Sequence, residues 1–243
     1  MKTVKIILAA SILFFNFLPA NAQLKSSPYE IGINFGTAFY AGDLTPTFFS
    51  PYKSPSYIFG IIGSKNLSNV FAMQAKLGLG KIKADDANYK NPPFRQQRNF
   101  SFKTSITELT ANLIFTPLGK DKLLTPYFLA GAGLSFLKVR RDYSNLNAEY
   151  FGDNPAITQG LPDDIAHLLP RIIAVLPVGL GIRYALNKKI SLNLLTSYRL
   201  MSNDYLDGFS KAADPSKNDH YYTHSIGLNY SFGEKNRLDC PTK

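Results

Sequence analysis

The sequence predicts an all-β protein, an eight-stranded antiparallel transmembrane β-barrel with short periplasmic turns and long external loops. Three observations predict it. Polar and apolar residues alternate over stretches long enough to cross a bilayer, the connections between them alternate long and short, and a secretory leader is followed by no other long apolar run. Composition agrees: 14 Tyr, 18 Phe and 17 Gly accompany only 18% charged residues, below the roughly 25% of soluble domains. With one Cys and three His there is no CxxC pair and little material for a metal centre, so neither metal nor cofactor is expected.

The leader comes first. Lys2 and Lys5 precede an apolar run from Ile6 to Leu18, and Ala20-Asn21-Ala22 supplies small residues for cleavage between Ala22 and Gln23. Residues 1–22 read as a signal peptide, 23–232 as the barrel and 233–243 as a short periplasmic tail. The apolar run falls short of the roughly 20 residues of a membrane anchor.

The strands follow in order. Over 29–40, Ile31, Ile33, Phe35 and Phe39 share a face opposite Glu30 and Asn34. The stretch 56–65 is apolar on both faces at Tyr57 to Ile62, which leaves its register open. Over 71–84, Phe71, Met73, Ala75, Leu77 and Leu79 oppose Gln74 and Lys76; over 100–116, Leu109, Ala111, Leu113 and Phe115 oppose Glu108 and Asn112. A fifth strand spans 124–139. In the sixth, 172–186, Leu176, Val178, Leu180, Ile182 and Tyr184 oppose Arg183. In the seventh, Ile190, Leu192, Leu194, Tyr198 and Leu200 oppose Ser191, Asn193, Ser197 and Arg199. The eighth is the clearest: Tyr222, His224, Ile226, Leu228, Tyr230 and Phe232 alternate with Thr223, Ser225, Gly227, Asn229 and Ser231.

Long connections (41–55, 85–99, 140–171, 202–219) alternate with short ones (66–70, 117–123, 187–189). An even strand count puts both termini in the periplasm and every long loop outside. A soluble barrel of the lipocalin kind also alternates and carries a leader, but it puts its apolar face inside and has no reason to alternate its loops. Aromatic residues near strand ends (Tyr29, Phe39, Tyr40, Tyr57, Phe71, Phe100, Phe115, Tyr127, Tyr184, Tyr222, Phe232) are expected to form interfacial girdles.

The polar faces carry both charge signs, Glu30 and Glu108 against Lys76, Arg183 and Arg199. Eight strands enclose a bore that side chains can fill, so these five are expected to pair and close it, serving structure rather than catalysis. Of 17 acidic residues 12 fall in the long loops, whereas the short turns carry Lys65, Lys120, Lys122, Lys188 and Lys189 against Asp121. A basic periplasmic mouth is first an ordinary solvated rim or topology signal, and it could also dock an acidic partner. External Arg95, Arg98, Arg140 and Arg141 are candidates to meet lipopolysaccharide phosphates among the outer-membrane lipids. The positive charge is spread along the chain, which does not read as a nucleic-acid patch.

Tyr40-Ala41-Gly42-Asp43-Leu44, Arg98-Asn99-Phe100-Ser101-Phe102 leading to Ile106-Thr107-Glu108-Leu109, and Thr125-Pro126-Tyr127-Phe128 running to Gly133 resemble the DUF6089 family of outer-membrane barrels. Pro177, Gly179, Gly181, Tyr184 and Leu186 look like its sixth strand, and Arg199 followed by Asp204-Tyr205-Leu206-Asp207 is similar to its penultimate loop. The resemblance covers residues 29–232. It implies a non-enzymatic barrel in the outer membrane of a Gram-negative bacterium, accessory to type IX secretion and associated with the periplasmic ring of the PorK lipoprotein and PorN. Gly42-Asp43 and Asp207-Gly208 are also good turn formers in their own right.

Two other classes stand beside this one. A lipid A-modifying barrel would use His220 or His224 as base with Ser202, Asp204 or Asp219 nearby; the ordinary reading of these histidines is a girdle or surface role. A small structural or adhesive envelope barrel is the other. Cys240 in the tail is either inert or a partner for a mixed disulfide in the oxidising periplasm.

Overall fold

A computed structural model of the chain describes residues 29–45, 47, 50–201, 204–214 and 218–233. The leader, the Ala22–Gln23 cleavage site, Ser202 and the tail with Cys240 lie outside the described residues.

Eight antiparallel strands close into one barrel: β1 (Tyr29–Ala41), β2 (Ser56–Asn66), β3 (Phe71–Asp85), β4 (Ser101–Phe115), β5 (Leu124–Asp142), β6 (Ile172–Ala185), β7 (Ile190–Leu200) and β8 (His220–Phe232). Each pairs with its neighbour in sequence, and β8 returns to β1 from Tyr29↔Phe232 to Ala41↔His220. Closure leaves no unpaired sheet edge, which hydrocarbon requires. The register of β2 is set by Tyr29↔Lys65 and Phe35↔Phe59, so Tyr57, Phe59 and Ile61 face outward and Ile58 and Ile62 face in.

The two faces are distributed inside-out relative to a water-soluble barrel. Ile31, Ile33, Leu77, Leu109, Leu180 and Leu228 are each 41–60% exposed on the outer wall, while Glu30, Asn34, Gln74, Glu108, Asn112 and Asn229 are buried in the lumen. An apolar belt of that extent is lipid-facing surface, and this excludes the lipocalin alternative. The wall is uneven in height. β3 and β4 have 15 residues and β5 has 19, against 11 in β2 and β7, and the surplus lies at the external ends.

The girdle expectation needs correction at three residues. Tyr40, Phe100 and Tyr127 point inward and are buried, because they share the parity of Asn34, Phe102 and Leu129. Near the periplasmic end, Tyr29 stacks on Phe232 and Phe71 on Phe115, with Phe128 next. Near the external end, Phe39, Tyr52, Tyr222 and His224 cluster on the outer face.

Candidate functional site

The external loops fold over the barrel mouth instead of standing away from it. Leu44, Phe100, Leu206 and Phe209 are fully buried and belong to one apolar cluster with Tyr40, Ile82 and Phe102. Phe100 stacks on Phe209 at 4.4 Å and Tyr40 meets Phe102 edge-on at 4.6 Å. Burying loop backbone this way leaves N–H groups without water, and each needs an acceptor. The acidic residues of the long loops supply them.

Asp164 accepts from the backbone N–H of Ser210 (3.1 Å), Lys211 (3.1 Å) and Ala212 (2.8 Å), and from the Tyr205 hydroxyl (3.2 Å), tying the third external loop to the fourth. Asp219 accepts from the N–H of Leu206 and Asp207, Asp207 from Phe209, and Asp43 from Asp214. Asp86 holds the second loop through Arg95 (2.8 Å) and Arg98 (2.6 Å), and Arg95 also donates to the Asp43 carbonyl at 2.9 Å.

The Tyr40-Ala41-Gly42-Asp43-Leu44 and Asp204-Tyr205-Leu206-Asp207 elements, far apart in sequence, meet here. The Tyr40 hydroxyl lies 2.6 Å from Asp207 Oδ2 and 2.5 Å from Asp219 Oδ1. A hydroxyl has one proton, so it donates to one carboxylate and the other carboxyl carries a proton of its own. Burial pushes Asp207 and Asp219 well above the usual carboxylate range, and Asp43 up to about 7. Gly42 is where the chain passes closest, since a Cβ there would sit 2.1 Å from Asp219 Oδ1 and 2.3 Å from the Tyr40 hydroxyl. Gly208, at φ +90°, makes the turn after Asp207.

Below this plug, four of the five expected lumen charges fall into two paired groups and the fifth, Lys76, into neither. Toward the periplasm, Glu30 pairs with Arg183 (2.7 Å) and with Lys120 (3.7 Å), which also donates to Asn66. Toward the plug, Arg199 pairs with Glu108 (3.3 Å) and donates to Ser197 and Thr223, while the Tyr221 hydroxyl donates to Glu108. Lys76 is buried with neither hydrogen bond nor ion pair to any described residue. Lys120, read from sequence as part of a solvated basic rim, is turned into the bore. Beside the first group lies a cavity of about 40 Å³, room for water, lined by Glu30, Lys120 and Arg183 and by Lys76.

Three of the four arginines expected at lipopolysaccharide are committed elsewhere. Arg95 and Arg98 are buried on Asp86, and Arg141 donates to the carbonyls of Asp164, Ile165 and Gly208. Arg140 is exposed. Nor do the candidate histidines meet an acid. His224 faces outward between Tyr52 (3.1 Å) and Thr196 (2.9 Å), and His220 lies beside Tyr198, whereas Asp219 faces into the plug. No group of residues suited to holding a metal ion occurs among the described residues.

A closed eight-stranded barrel with an apolar outer belt, a charged lumen and an occluded external mouth defines an outer-membrane β-barrel protein. Within that class the chain belongs to the DUF6089 family, a domain of unknown function, whose profile matches residues 5–241. None of the curated proteins matches the sequence. Among solved structures it is similar to Ail, the attachment invasion locus protein of Yersinia pestis, at 12% identity over 85% of this chain and 99% of that one, with a TM-score of 0.46. Neisserial surface protein A is similar at 14% identity over 86% and 100%, TM-score 0.46. The outer membrane enzyme PagL is similar at 12% identity over 84% and 99%, TM-score 0.38.

Proposed function

We propose that this protein is a non-enzymatic anchoring barrel of the type IX secretion machinery, similar to PorG, and that it presents its periplasmic turns to ring proteins of the PorK and PorN kind. The observation that carries the reading is the convergence of the Tyr40–Leu44 and Asp204–Asp207 elements, which together carry the family resemblance, on one structural task, sealing the external mouth. A barrel sealed outside and charge-filled within leaves its periplasmic turns as the polar surface that faces the periplasm. There Lys65, Lys122, Lys188 and Lys189 are exposed, a basic rim suited to an acidic partner.

The test is a pull-down of tagged, detergent-extracted protein from its native envelope, paired with a secretion assay in a deletion strain. Recovery of ring components with loss of secretion is the expected result. Recovery of the barrel alone with normal secretion would replace this reading with that of a structural or adhesive envelope barrel. An altered lipid A acylation pattern in the deletion strain would instead point to an enzyme.

A further inference from the structure

On the outer wall, at the raised external ends of β3, β4 and β5, five cations stand together. The registers Lys83↔Lys103 and Lys103↔Arg140 put three of them side by side across three strands. One step nearer the membrane, the row Lys81↔Ser105↔Lys138 adds two more. All five are exposed, and none forms a hydrogen bond or ion pair with a described residue. Like charges directly opposite across a ladder destabilise it. Nothing in the lumen requires them, because they have the lipid-facing parity of Leu79 and Phe136, which lie one row below. Asp85 and Asp142 occupy the row above, flanking Ser101, without pairing to them. Lys81, Lys83 and Lys103 line a shallow groove of about 550 Å³ together with Pro55, Tyr57, Leu79 and Thr107.

Cations and apolar side chains, Tyr57 and Leu79, sharing one groove on a lipid-facing wall match one chemistry, a phosphate-bearing headgroup above acyl chains. We propose that Lys81, Lys83, Lys103, Lys138 and Arg140 form a binding site for a phosphorylated lipid of the outer leaflet, of the lipid A type. The phosphate bridges the Lys83–Lys103–Arg140 row and an acyl chain lies along Tyr57 and Leu79. The site keeps Arg140 of the four arginines expected at lipopolysaccharide and replaces Arg95, Arg98 and Arg141, which the plug consumes, with lysines of the strand wall.

The experiment uses the full chain, purified in detergent and titrated with bisphosphorylated lipid A, with retained lipid read by native mass spectrometry. The triple variant Lys83→Gln/Lys103→Gln/Arg140→Gln is expected to lose about tenfold or more in binding. Lipid A stripped of both phosphates should bind the native protein as weakly as bisphosphorylated lipid A binds the variant. Inorganic phosphate at millimolar concentration should fail to compete, and Lys188→Gln/Lys189→Gln at the periplasmic end should bind normally. A second readout has opposite signs in two media: the triple variant should melt higher than the native protein in lipid-free detergent, where only repulsion is removed, and lower in bicelles containing lipid A. Equal lipid A binding by native and triple-variant protein, full competition by free phosphate, or a triple variant that melts lower in both media would overturn the proposal.

Discussion

The plug and the lumen are both buried and polar, yet they are satisfied in opposite ways. In the lumen the backbone is fully used in the barrel ladder, so inward side chains bond to one another: Glu30 to Arg183 and Lys120, Glu108 to Arg199 and Tyr221. In the plug the backbone belongs to loops, and Asp164, Asp207, Asp219 and Asp43 accept from its N–H groups, while among the described residues Asp86 alone of the buried plug acids pairs with arginines. Where regular structure has met the main chain's needs, charge pairs with charge. Where it has not, acids bond to main chain, which explains why most acidic residues sit in the long loops.

The largest effect should come from breaking a lumen pair. Glu108→Leu leaves Arg199, which is 1% exposed, without its counter-ion, and should cost about 3–5 kcal/mol, read as a lower urea midpoint of the refolded barrel. The double variant Glu108→Leu/Arg199→Met should recover most of that loss, because both partners are side chains. Asp164→Leu tests the opposite case. It strands the buried N–H groups of Ser210 and Ala212 and the part-buried one of Lys211, for a cost of roughly 2–4 kcal/mol confined to the plug. Hydrogen exchange at Ser210 to Ala212 should accelerate while the barrel's urea midpoint holds. No second side-chain substitution should restore it, since the orphaned partners are backbone; a rescuing second site would break the comparison.

Acidity gives a smaller, graded effect. Burial raises Asp43, Asp207 and Asp219 in the folded protein, so their stabilising contribution is complete below about pH 4, where the unfolded acids also hold their protons. For Asp43 it is lost as pH rises from about 4 through about 7, at up to about 1.4 kcal/mol per pH unit. Proteolysis of the 204–214 segment, with a protease active across the range, should be faster at pH 8 than at pH 5. Asp43→Asn should flatten that slope, and a slope unchanged by the substitution would assign the titration to the Tyr40-bridged pair. At the bottom of the scale, Lys188→Gln/Lys189→Gln should shift stability by no more than about 0.5 kcal/mol, because these turn residues are exposed.

The barrel was legible in the sequence because one rule, alternation, fixes strand existence, facing and length together. Loop lengths then fixed orientation. The errors came where another cue overrode parity. Tyr40, Phe100 and Tyr127 are aromatic and near strand ends, the mark of a girdle residue, yet their parity with Asn34, Phe102 and Leu129 puts them inside. Lys120 lies in a turn, beyond the reach of alternation, and its turn inward onto Glu30 follows from closure of the barrel. The pairing of Arg95 and Arg98 with Asp86, and of Tyr40 with Asp207 and Asp219, depends on how the loops fold back, which no local pattern encodes. Convergence of the two family-marked elements was therefore invisible, while the residues themselves were in view.

The Tyr40 bridge has a mechanical consequence. Tyr40 lies on the first strand, whereas Asp207 and Asp219 lie in the segment leading into the last, so their hydrogen bonds straddle the seam at which the chain closes on itself. Thirteen residue pairs zip that seam from Tyr29↔Phe232 to Ala41↔His220, and the bridge staples its outer end. Lateral parting of the first and last strands from the outside would have to dismantle the plug at the same stroke. The latch can form only after the last strand has docked, so it records that assembly is complete.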